Sequence, residues 1–106
     1  MAENEEDIPG LRAILRHYRP FIEDVFSPFH DDLYRATGLD PKTTELILMA
    51  LLVMQRWKTG VQVHAKLATD AGATPQEIRG AALVTLAVSG LAESSEALGW
   101  LDEVLD

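Results

Sequence analysis

From Leu11 onward apolar residues recur at three- and four-residue intervals: Leu11, Ile14, Leu15, Tyr18, Ile22, Val25 and Phe26. That period belongs to one face of an α-helix, so a helix is predicted across this span. Pro20 interrupts it and calls for either a kink or a short stop before Phe21. Ser27-Pro28 reads as the start of another short helix that Gly38 ends, with Phe29, Leu33 and Tyr34 inward and Asp31, Asp32 and Arg35 outward. Asp40-Pro41 opens the next helix. Its nine residues from Leu46 to Met54 are apolar all round, which predicts burial on every side at a length too short to cross a bilayer. Thr59-x-x-Gln62 is a capping-box pattern that restarts a helix, with Gly72 suited to its left-handed end. Thr74-Pro75-Gln76-Glu77 begins a third central helix, running to about Ser89, and Gly90 separates it from a last helix over about Ala92 to Leu105. Leu98, Leu101, Val104 and Leu105 are expected to face in. Strand-like alternation and internal repeats are absent, so the chain is predicted to be all-α, a bundle of five to six helices.

Composition narrows the class. At 106 residues, 47% of them hydrophobic and 25% charged, the chain suits a single folded domain burying about 65% of its unfolded surface. Residues 1–9, with four acids in MAENEED and no base, are expected to be an acidic disordered tail, and residues 10–106 the helical domain. A net charge of −8 opposes binding to nucleic acid or to an anionic membrane surface. There is no cysteine, hence no disulfide and no thiolate ligand. With an acidic start that lacks export-signal features, a cytoplasmic location is expected. Glycine-rich phosphate loops, serine-nucleophile elbows and HExxH are missing, so no cofactor or metal is expected. His17 and His30 are read as solvated, and His30 beside Asp31 and Asp32 lacks metal-ligand spacing.

The candidate chemistry lies in the central stretch. Glu45 and His64 are titratable side chains on consecutive helices joined by a short turn, each near an apolar face. A carboxylate that holds an imidazole in one tautomer makes a proton relay working near neutral pH. The structural alternative is a buried acid and histidine that satisfy each other and specify packing. Arg56, Trp57 and Lys58 sit in the turn, where the two cations can hold a substrate carboxylate while the indole walls a pocket. They equally suit a helix C-terminus and simple packing. Met49 and Met54 read as core filler.

These residues also carry a resemblance. L-D-P-K-T ahead of Glu45, His64 nineteen residues later, and A-G-A-T-P-Q-E-I (Ala71 to Ile78) resemble the core of the carboxymuconolactone decarboxylase and alkyl hydroperoxidase D family. The likeness covers roughly Leu39 to Gly90. It implies an alkyl hydroperoxidase D-like helical bundle assembled as a homotrimer or homohexamer. Family members carry C-x-x-C between the glutamate and the histidine, and here Trp57 and Gly60 hold the two cysteine positions. Thiol peroxidase chemistry needs a thiolate and a resolving partner, so this chain by itself has no means of performing it.

Two functions follow as expectations. One is a cofactor-free lyase of the decarboxylase side of the family, releasing CO2 from a small carboxylated lactone or unsaturated acid. Glu45 and His64 would be its catalytic pair, with Arg56, Trp57, Lys58 and a backbone amide near Gly60 on the substrate. The other is a non-catalytic oligomeric binding or scaffold protein that has lost the family's redox cysteines.

Overall fold

Proline and glycine set most of the element boundaries. The computed structural model describes residues 9–105, which contain helices and no strand. The acidic tail expected at residues 1–9 falls outside them except for Pro9, which already begins α1. The chain divides into two compact units, one ending at Asp40 and the other starting at Pro41.

In the first unit, α1 (Pro9–Phe21) leads into a π-helical turn (Ile22–Phe26) and then α2 (Ser27–Thr37). Pro20 has no N–H to give to the preceding turn, and its ring crowds the backbone there. The distortion appears at Tyr18 (φ −133°, ψ 27°), so the outcome is a kink followed by a widened turn, not a stop. Gly38 ends α2 at φ 70° as predicted. Within this unit the expected inward packing of Phe29 and Leu33 is corrected: they are 58% and 47% exposed. Helices running end to end place no second helix over that stripe. His30 is also corrected, being half-buried between the rings of Phe26 and Tyr34, with centroids 5.5 and 4.5 Å away.

The second unit holds α3 (Pro41–Met54), α4 (Lys58–Asp70), α5 (Pro75–Val84), the short α6 (Leu86–Ser89) and α7 (Leu91–Asp102). Helices α3 and α4 form an antiparallel hairpin; α5 packs on both, and α7 packs across α3, α4 and α5. Met49, Val53, Val61, Ala65, Ala68, Ile78, Ala82, Ala97 and Leu101 make its core. Small alanines on three of these helices, α4, α5 and α7, let the axes approach closely. Counting α5 and α6 as one interrupted helix, the described chain has six α-helices, within the predicted range.

Three local expectations change. The stretch Leu46 to Met54 is buried on one side only, since Ile47, Leu51 and Met54 are 44%, 54% and 41% exposed; Val104 is likewise 48% exposed. The Thr59–Gln62 capping box does not form. Helix α4 already starts at Lys58 with no side-chain cap, and Gln62 Nε2 donates instead to the carbonyl of Trp100 at 2.9 Å. The predicted run from Pro75 to Ser89 breaks at Thr85, whose hydroxyl lies 2.6 Å from the Ala82 carbonyl and 2.9 Å from the buried Ser94 hydroxyl. Such a side-chain bond competes with the helix ladder and opens it locally.

Candidate functional site: the α3–α4 hairpin

The turn between α3 and α4 is built by backbone hydrogen bonds. Trp57 N–H donates to Leu52 O at 3.2 Å and Arg56 N–H to Val53 O at 3.0 Å. This is the Schellman pattern, with Arg56 at the left-handed position (φ 56°) where glycine or asparagine is usual. The motif commonly pairs apolar residues across the helix end, and here these are Leu52 and Trp57. Both lie against Gly60: a Cβ added there would meet Trp57 Cε3 at 2.5 Å and Leu52 Cδ1 at 3.0 Å. Gly60 is therefore a shelf on which the indole rests.

One turn further along α4, His64 meets α3. Its Nδ1 is 2.6 Å from Glu45 Oε2, with side chains 19% and 11% exposed. A carboxylate oxygen accepts, so the imidazole donates through Nδ1–H, and Nε2 is the nitrogen available to a ligand. The predicted pair is brought together, close to core yet within reach of solvent at the imidazole edge.

The cations of the turn are engaged elsewhere. The guanidinium of Arg56 lies 3.3 Å from Glu96 and 3.9 Å from Glu93, both on α7. Lys58 Nζ is 3.0 Å from Glu103. Trp57 is 39% exposed, presenting part of its ring outward. Of the sequence candidates, Glu45 and His64 meet directly and Trp57 meets Gly60, while Arg56 is turned to Glu93 and Glu96 of α7 and Lys58 to Glu103 just past its end. Those acids, and Leu52, escaped the sequence reading. The signal for Leu52 was its place five residues before Trp57 in a Schellman end; Glu93, Glu96 and Glu103 offered none without knowing where α7 lies.

Near the start of α3, Lys42 Nζ pairs with Glu77 Oε2 at 3.0 Å, while Glu77 Oε1 accepts from Thr74 N–H at 2.9 Å. The amide of Thr74 first, and then the ammonium of Lys42, hold the Glu77 carboxyl below its ordinary range. Among the described residues no three His, Asp or Glu side chains converge as a metal site, and no helix is long and apolar enough to cross a membrane.

Residues 22–103 match the family model described as the carboxymuconolactone decarboxylase family. The comparisons with curated proteins and with solved structures return no match.

Proposed function

The chain belongs to the carboxymuconolactone decarboxylase family, and on that premise we propose that it is a cofactor-free carboxy-lyase acting on a small carboxylated lactone or unsaturated acid. The observation that carries this reading is the 2.6 Å contact between His64 and Glu45 at a partly open edge of the hairpin. The C–C bond to the carboxylate breaks, CO2 leaves, and its bonding electrons pass into a conjugated carbonyl of the substrate. His64 Nε2–H delivers the proton to carbon, and water restores it. Glu45 fixes the ring through Nδ1–H, which leaves Nε2 for the substrate. The opening amides of α4, Gly60's among them, have no carbonyl four residues back within the helix, and in this reading they donate to the developing oxyanion. Arg56 or Lys58 seats the substrate carboxylate only by giving up Glu93, Glu96 or Glu103. The setting in this reading is cytoplasmic, which the acidic, cysteine-free composition favours.

The engagement of both cations by Glu96 and Glu103 favours a second reading, a non-catalytic binding or scaffold protein. The discriminating experiment runs wild type and His64→Gln against small carboxylated lactones and unsaturated acids, beside melting curves. The amide keeps a hydrogen bond to Glu45 and carries no proton at neutral pH. For an enzyme the expected loss is about 10²–10⁴-fold in rate with little change in melting. Turnover that survives the substitution removes His64 from the chemistry. Absence of turnover in both proteins, with a stability loss of about 1–3 kcal/mol in the variant, favours the scaffold.

A further inference from the structure

Helices α1 and α2 have almost no core of their own. Among the described residues of the first unit only Leu15 is buried, yet helices this short draw most of their stability from packing an apolar face. Phe21, Val25, Phe29 and Leu33 recur every four residues, and all are exposed. Positions spaced by four drift around a helix of 3.6 residues per turn. The π-helical turn Ile22–Phe26 closes on the fifth residue instead of the fourth, so it takes back part of that drift and holds the four side chains to one edge. In the second unit Ile47, Leu51 and Met54, spaced by four and three along α3, form another exposed apolar edge.

We propose that these two edges meet between copies of the chain, the Phe21–Leu33 edge of one copy lying along the Ile47–Met54 edge of α3 in another. The contact stands whether or not Glu45 and His64 react. Scaled by the size of such side chains, the two edges expose about 700 Å² of apolar surface per copy, close to the roughly 800 Å² per partner of a stable interface. The arm edge is half phenylalanine and free of charge, as the centre of an interface is. Glu23, Asp24, Asp31 and Asp32 stand beside it in the sequence, and with a net charge of −8 they disfavour an anionic lipid surface as the occupant. The corner at Leu83, Val84, Val88 and Leu91 is exposed too. There the chain changes helix twice, at Thr85 and Gly90, so it gives a second helix no continuous ridge to pack along.

The chain has no cysteine, so single introduced thiols report the contact without background. Copies carrying Phe29→Cys and copies carrying Leu51→Cys are coexpressed and treated with a short bis-maleimide. The expected product has twice the chain mass of 11.7 kDa and is linked between positions 29 and 51, as read by peptide mass spectrometry. Phe29→Cys coexpressed with Val88→Cys is expected to give no such product. Phe29→Ala, at an exposed position that the fold of one chain does not need, should weaken self-association about ten- to a hundredfold in analytical ultracentrifugation. Amide exchange across α2 should quicken as wild type is diluted, because the arm loses its cover. A wild-type mass of 11.7 kDa at micromolar concentration overturns the proposal. So does an oligomer in which position 29 links to position 88 and not to position 51, or one whose association Phe29→Ala leaves unchanged.

Discussion

At the scale of single residues, Arg56 is the position where local and global requirements conflict. A left-handed conformation costs a residue with a Cβ about 1–2 kcal/mol. Its ion pairs with Glu93 and Glu96 lie at the surface, with the arginine side chain 58% exposed. Exposed pairs contribute about 0–1 kcal/mol, so they do not fully offset the strain. Glycine and alanine substitutions separate the two terms. Both delete the ion pairs, and only glycine relieves the backbone. Arg56→Gly is expected to be more stable than Arg56→Ala by about 1 kcal/mol, read from chemical denaturation midpoints. That order reverses the usual preference for alanine over glycine in helical backbone. Alanine matching or exceeding glycine would mean the left-handed turn is not strained.

At the scale of elements, the start of α5 is the most fully determined end in the chain. Thr74 Oγ1 accepts from Glu77 N–H at 3.1 Å, and Glu77 Oε1 accepts from Thr74 N–H at 2.9 Å. Thr74→Ala is expected to cost about 0.5–2 kcal/mol in denaturation experiments. The lowered Glu77 value gives this end a pH dependence of definite sign. A carboxyl held below its unfolded value stabilises the fold above the ordinary glutamate range, and the contribution is lost as pH falls through the folded value. Melting of wild type and Glu77→Gln should therefore differ near neutrality and converge as the pH falls below the ordinary glutamate range. A difference that grows on acidification contradicts the assignment. Every participant in this cap lies within four consecutive residues, so it was legible from Thr74-Pro75-Gln76-Glu77 alone. Thr59 and Gln62 carry the same pattern without the same result. There the amide of Gln62 finds the carbonyl of Trp100, thirty-eight residues away, which no local pattern contains.

At the scale of the whole molecule, large apolar side chains remain exposed. Phe21, Val25, Phe29 and Leu33 do so in the first unit, and Ile47, Leu51, Leu83 and Val84 in the second. Scattered single residues of this kind are normal, whereas repeated exposure along successive turns marks a surface that binds something. Each leucine left wet forgoes about 1.5–3 kcal/mol of burial. A homo-oligomer covering these faces is the expected outcome, checked by light scattering against the monomer mass of 11.7 kDa. Leu51→Glu should shift the distribution toward monomer, and a wild-type mass equal to the monomer at micromolar concentration would rule the oligomer out.

Helix ends at Gly38, Gly72 and Thr74, the proline starts, and the partnership of Glu45 with His64 were determined by the sequence itself. Cap chemistry acts among neighbouring residues, and two helices joined by a short turn have to return antiparallel, which brings residues nineteen apart alongside each other. Tertiary structure alone decided which side of Leu46 to Met54 is covered, that the Thr85 hydroxyl meets Ser94, and that Glu96 of α7 and Glu103 just past its end take the cations of the turn. An apolar run states that burial is favourable and leaves open which neighbour supplies it. A hydroxyl, amide or guanidinium satisfies whichever group the packing of another helix sets within its reach.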